Sequence, residues 1–193
     1  MVIQDERGWL GAEGKYYASP QDAHESFARR FRWSEPAISR RDRGQQRRLR
    51  VFLAHASEDK TAVRELYERL RGIKVDPWLD EVNLLPGQKW RTEILKAIRA
   101  TDAFVACFSP VAVSKVGYIN RELKEALEVA DEQPEGKIFL IPLRLQKVEP
   151  PDRFREIQWV DYFNPGGFEF LKRSLTALAE WLRRAGAKVA LPT

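Results

Sequence analysis

LRVFLAHASEDK, residues 49–60, decides how this chain is read. Its first six residues are almost continuously apolar, as in a strand covered on both faces. A strand with one wet face would alternate instead. Ser57 or Asp59 then offers an N-cap. Ala62, Val63, Leu66, Tyr67 and Leu70 recur at helical spacing until Gly72 provides a stop. A buried strand running into an amphipathic helix opens a βα unit. The alternation repeats downstream. IKVDPWL, residues 73–79, reads as a second strand, and Pro77 assigns it to an edge because proline cannot donate to a ladder. After the loop DEVNLLPGQK, the stripe Trp90, Ile94, Ala97 and Ile98 marks a helix. AFVACF, residues 103–108, is a third strand, 118–132 a third helix, KIFLIPLRL a fourth strand and IQWVDYF a fifth. Phe168, Leu171, Leu175, Leu178 and Leu182 mark the last helix.

Strands alternating with helices imply an α/β fold, a five-stranded parallel sheet with helices on both faces. The expected strand order is the flavodoxin-like 2-1-3-4-5. Ligands in such sheets sit beyond the carboxyl ends of the strands, where the order reverses. HASEDK, DEVNLLPGQK and SPVAVSKVGY emerge on that rim. The third feeds into GYINRELKEAL, residues 117–127, whose Ile119, Leu123, Ala126 and Leu127, followed by Ala130, form a core-facing stripe. Beside it, Tyr118 and Glu122 stand four apart, one above the other on one side of the first turn.

The 193 residues suit one domain with an extension. Residues 1–18 look irregular. Ser19-Pro20 with Ala23, Phe27 and Phe31 predicts a short helix over 20–33. The expected division is an extension over 1–48 with that helix and a basic linker, a main domain over 49–185, and a tail over 186–193. No apolar run of spanning length occurs, and MVIQDERGWLGAEGKYY lacks the basic start and apolar stretch of a secretory signal. One cysteine, Cys107, lies inside AFVACF and reads as a buried small hydrophobe. With His24 and His55 the only histidines, no zinc constellation is expected. A cytoplasmic location and no membrane contact follow as expectations. The net charge of +5 concentrates in RRDRGQQRRLR, residues 40–50, with six arginines and one aspartate. A solvated linker is the preferred reading. Nucleic-acid or lipid contact is the lesser one, since no nucleic-acid-reading motif accompanies the charge.

The same residues carry a family resemblance. VFLAHASEDK resembles the first box of a TIR (Toll/interleukin-1 receptor) domain of bacterial type. DPWLDEVNLLPGQKW resembles the second box with its BB loop, and SPVAVSKVGYINREL is similar to the SP…S…W…EL stretch that closes the family's site. The match covers about 49–185. Many TIR domains cleave NAD at the nicotinamide–ribose bond. The resemblance places Glu122 at the catalytic glutamate position and Tyr118 where an aromatic, usually tryptophan, packs near the nicotinamide. It places Asp80, His55 and Ser57 along the substrate cleft. Asn83, Leu84, Leu85, Pro86 and Gly87 fall in the BB loop, which implies self-association into a homo-oligomer. NAD is then the substrate, and no cofactor or metal is implied.

This chemistry suits a chain poor in histidine and cysteine. Nicotinamide is a good leaving group because its ring nitrogen is positively charged while bound to ribose. Cleavage passes through an oxocarbenium-like state, as in glycoside hydrolysis. One carboxylate can hold the ribose and stabilise the growing positive charge. Glu122 lies nearer the helix N-terminus than Glu125 or Glu128, where the dipole favours its ionised form. Alternatively it is a surface charge pairing with Arg121 or Lys115. The expected function is therefore a TIR NAD+ glycohydrolase yielding nicotinamide and ADP-ribose or a cyclic isomer. It would be activated by self-assembly, served by a separate sensor or effector protein, and used in anti-phage defence. The alternative is a non-catalytic TIR adaptor, in signalling or as a mimic of host TIR domains, to which tyrosine in place of tryptophan at 118 lends weight.

Overall fold

The computed structural model describes residues 46–114 and 118–193, with 118–122 as backbone only, and the backbone of 3–5, 8–10 and 16–17. The chain divides into two units, Met1–Gln45 and Gln46–Thr193. In the first, strands Ile3–Asp5, Gly8–Leu10 and Tyr16–Tyr17 pair antiparallel, with Gln4 opposite Trp9 and Trp9 opposite Tyr17. Residues 1–18 are therefore not irregular throughout. Strands of two or three residues are too short to display a period of two. The helix expected over 20–33 and the arginines at 40, 41 and 43 lie outside the described residues.

The second unit is a five-stranded parallel sheet. Its strands are β1 (Leu49–Ala54), β2 (Val75–Trp78), β3 (Ala103–Phe108), β4 (Leu140–Arg144) and β5 (Val160–Asp161). Their order is β2-β1-β3-β4-β5, as expected. The helices are α1 (Lys60–Gly72), α2 (Asp80–Asn83), α3 (Trp90–Ala100), α4 (Pro110–Ser114), α5 (Tyr118–Asp131) and α6 (Gly167–Arg184).

Both faces of the sheet are covered, which explains the continuous apolar strands. On one face Leu49, Val51, Leu53, Val105, Cys107 and Leu143 meet Val63, Leu66 and Leu70 of α1 and Leu171, Leu175 and Leu178 of α6. On the other, Phe52, Ala54, Phe104 and Phe108 meet Ile94 and Ile98 of α3 and Leu123, Ala126 and Val129 of α5. Each such leucine contributes about 2 kcal/mol by leaving water. Phe52 stacks between Trp78 and Phe104, at 4.7 and 5.1 Å, so an aromatic ladder crosses β2, β1 and β3. Stacked pairs of this kind add about 1 kcal/mol each beyond burial.

Proline accounts for two details of the sheet. Pro77 lies in the edge strand β2, as its missing N–H requires. Pro142 lies in the inner strand β4. Phe104 N donates to Phe139 O and Leu145 N to Phe108 O, so odd-numbered residues of this stretch face β3. Pro142 therefore turns its backbone toward β5, which is in register only with Leu143 and Arg144. Its missing N–H falls where the neighbouring strand is shortest.

The structure corrects several sequence expectations. IQWVDYF forms a strand only at Val160–Asp161. Trp90 heads α3 but is 43% exposed, because the stripe enters the core only at Ile94. Gly72 ends α1, yet the left-handed residue is Lys74, with φ of 61°, at a cost of about 1 kcal/mol. Residues 186–193 do not trail away: Val189 is fully buried and pairs with Arg47, and Thr193 N donates to Ile73 O. Arg47 is likewise more than a solvated linker residue. Its guanidinium forks onto buried Asp102, at 2.6 and 2.8 Å, and that carboxylate also accepts the N–H of Arg50. The hydrogen bond that Arg47 donates to Asp102 is the main reason its guanidinium is held above its ordinary pKa.

Candidate functional site

Three loops leave the carboxyl ends of β1, β2 and β3 on one rim. After β1, His55 is buried at 7% exposure and Ser57 is exposed. Ser57 Oγ donates to Glu58 Oε2 at 3.0 Å. Neither Ser57 nor Asp59 caps a helix with its side chain. Residues Ser57–Asp59 form a 3-10 turn, and Asp59 occupies the N-cap position of α1 without a capping bond. The Asp59 carboxylate instead accepts the hydroxyl of Ser109 at 2.7 Å. Ser109, almost fully buried at the end of β3, also accepts Ala112 N at 3.1 Å and so caps α4. This bond ties the first loop to the third across 50 residues. Sequence reasoning missed it, because Asp59 already had a local role to fill.

The loop after β2 is built differently. Asp80 opens α2 half-buried, its Oδ1 accepting Glu81 N at 2.8 Å. Asn83 Oδ1 accepts Leu79 N at 2.9 Å, closing the helical turn on itself. Glu81 pairs with Arg64 of α1 at 2.9 Å, which holds α2 to the neighbouring helix. Beyond α2 the chain turns at Leu85-Pro86-Gly87-Gln88. Gln88 N donates to Leu85 O, Gly87 has φ of 89°, and Leu85 N donates to Gln88 Oε1 at 2.7 Å. Pro followed by a left-handed Gly is the pairing that a type II turn requires. Leu84 and Leu85, adjacent leucines on one loop, have different environments. Leu84 is half-buried against the cluster around Phe52, and Leu85 is 65% exposed. Val82 in α2 and Trp90 at the head of α3 are exposed on either side of this turn.

Tyr118 begins α5, and Glu122 falls in its second turn. Leu123, next in sequence, is buried beside Phe52 and Ala54 of β1, so this end of α5 packs on the strand that carries His55. The side chains of Tyr118 and Glu122 lie outside the description. What the structure gives is their backbone position, on a helix that follows α4 and the end of β3.

At the far side of the rim, Arg144 at the end of β4 bonds Asp161 of β5, donates to Val148 O at 2.9 Å, and lies 5.0 Å from the Trp159 ring. The hydrogen bond to Asp161 holds the Arg144 guanidinium above its ordinary pKa. Cys107, one residue before the end of β3, is fully buried, and burial pushes its thiol up, with the charge of Asp59 adding to the effect. It is packed as a hydrophobe, not poised as a nucleophile. Grooves of about 490 and 390 Å³ run along α6 and are lined by Ile138 and Phe170, away from these loops. Among the described residues no group of three His, Cys, Asp or Glu side chains could hold a metal ion, and no helix is long and apolar enough to cross a membrane.

Residues 51–176 match the TIR domain family. A curated relative from Brachypodium distachyon, "Probable 2' cyclic ADP-D-ribose synthase BdTIR", is 32% identical over 103 residues. That alignment covers 52% of this chain and 45% of the relative, so the chain spans under half of that protein's length. The fold resembles the TIR domain of the Toll-related receptor TRR-2 from Hydra magnipapillata, with a TM-score of 0.54 at 19% identity, over 64% of this chain and 94% of that one.

Proposed function

The chain belongs to the TIR domain family, and from that premise we propose that it cleaves NAD+ at the nicotinamide–ribose bond, with Glu122 as the catalytic carboxylate. The observation that carries this reading is the placement of residue 122. It is the glutamate at the start of a helix that follows the rim loop of β3 and packs against β1. A relative named as a probable cyclic ADP-ribose synthase supports the same chemistry.

In this reading the C1′–N bond breaks and its electron pair moves onto the nicotinamide ring, neutralising it. Positive charge grows on the ribose and is opposed by the Glu122 carboxylate. Water then attacks C1′ to give ADP-ribose and a proton, or a hydroxyl of the same molecule attacks to give a cyclic isomer. Tyr118 serves as an aromatic wall for the nicotinamide. His55, Ser57 and Asp80 border the cleft from the loops after β1 and β2. Asn83–Gly87 contacts a second copy, and Leu85, exposed on a rigid Pro-Gly turn, is the side chain best presented for it. The proposed role is NAD depletion or signalling in defence, triggered by assembly and by a separate sensor protein.

The adaptor reading is favoured by one observation, the exposed apolar set Val82, Leu85 and Trp90, which suits recruitment as well as self-assembly. One experiment separates the two. Concentrated protein is incubated with NAD+, and nicotinamide is followed by chromatography beside Glu122→Ala. Release by the wild type alone supports the enzyme and its residue. Equal turnover by both removes Glu122. Silence from a demonstrably assembled wild type favours the adaptor.

A further inference from the structure

The end of the sheet opposite the rim separates charge. Under β1 and β2, Arg47 N donates to Lys188 O at 2.9 Å, Ala190 N to Arg47 O at 2.8 Å, and Thr193 N to Ile73 O at 3.2 Å. These bonds join the lead-in to β1, the end of α1 and the segment that follows α6. They gather Arg48, Arg71, Lys74, Arg183, Arg184 and Lys188 at one corner, all exposed. The origin is partly local. Cations are favoured in the last turn of a helix, and α1 and α6, on the same face of a parallel sheet, both end here.

The accumulation exceeds what two helix ends need. Arg71 faces Glu68 at 3.6 Å, and Arg47 is held by Asp102. Among the described residues, Arg48, Lys74, Arg183, Arg184 and Lys188 have no acidic partner. Residues 46–193 hold 25 Lys and Arg against 21 Asp and Glu, an excess of four, so the five unpaired cations at this one corner outnumber the net excess of the whole unit. Asp131, Glu132 and Glu135 gather instead before β4, two strands from β1 and so about 10 Å away in the sheet. The exposed large apolar side chains, Leu85, Val111 and Phe170 among them, come from other segments of the chain. The corner therefore has charge without the apolar wedge that seats a protein in a lipid surface. Its cations are mainly arginines, whose forked donors match phosphate oxygens.

We propose that this corner binds the phosphate backbone of a nucleic acid without reading its sequence. A strand docked here leaves the rim free, because the two lie at opposite ends of β1. The proposal is independent of NAD cleavage.

The test uses the full chain and fluorescent single- and double-stranded oligonucleotides, with anisotropy measured across a salt series. The expected result is a log affinity that falls linearly with log salt. The triple variant Arg183→Gln, Arg184→Gln, Lys188→Gln should weaken binding at least ~10-fold and reduce the slope by roughly 2 to 3. Circular dichroism checks its fold. A second variant on another element, Arg71→Gln with Lys74→Gln, should move affinity in the same direction. Several results overturn the proposal: no binding by the wild type at low salt, affinity unchanged in both variants but lost when Arg40, Arg41 and Arg43 are neutralised, or capture by phosphatidylserine vesicles without oligonucleotide binding.

Discussion

The two ends of the sheet are held by different means. At the rim, polar side chains hold loops: Ser109 bonds Asp59, Asn83 caps Leu79, and Gln88 closes a Pro-Gly turn. At the opposite end, one buried carboxylate, Asp102, takes the Arg47 fork and the Arg50 N–H, fastening the chain's entry into the sheet. The rim exposes apolar surface at Val82, Leu85 and Trp90, while the corner under β1 and β2 at the other end exposes arginine and lysine. In a parallel α/β unit the strand ends that carry variable loops are free to take on chemistry, while the starts anchor the sheet. The rim therefore carries an exposed apolar set, and the opposite end a corner of unpaired cations.

Four substitutions test that contrast. The largest effect is expected at the rim: Glu122→Gln should lower NAD turnover at least ~10²-fold, the scale of losing one transition-state contact, with the melting temperature unchanged. Retained turnover in a chromatographic assay would break the functional half of the comparison. Next comes Gly167→Ala, where α6 meets β5. An added Cβ would stand 2.3 Å from Asp161 O and 2.7 Å from Tyr162 Cα, both backbone atoms that cannot step aside. Destabilisation of about 3 kcal/mol is expected from such overpacking, or roughly 9 °C in melting temperature for a chain of this size. At the anchored end, Asp102→Ala removes an acceptor of three hydrogen bonds and should cost about 2 kcal/mol by denaturant titration. A smaller loss than that of a surface charge would mean that Arg47 and Arg50 find water without penalty. The smallest stability effect is expected at Leu85→Asp, below about 0.5 kcal/mol, as for other exposed positions. The same variant should lower self-association by light scattering. A large loss of stability there would show that the Pro-Gly turn is part of the core, not a contact surface.

Much of this architecture was legible in the order of residues. AFVACF is buried at every position, and a proline inside VDPW placed β2 at the edge. The stripes of α1, α3 and α6 fell on the residues that fill the two core layers, apart from Trp90. The rim loops were legible as loops. The rest depended on contacts that no window of sequence contains. Leu84 and Leu85 are neighbours of the same type, and only the approach of the cluster around Phe52 and Trp78 buries one and leaves the other in water. Asp59 looked like a helix cap until Ser109 arrived from β3. A short tail and a basic linker became a bridge between Arg47 and Val189.

Sequence by itself determined the α/β class, the strand order, the family and the position of Glu122 along the chain, because periodicity and motif spacing are properties of neighbouring residues. Only the tertiary structure decided that Arg47 would meet Asp102 across 55 residues, and that arginines from three separate segments would share one corner. Such meetings are set by how parallel strands register and where helices on one face end, and those are fixed only when the whole sheet closes.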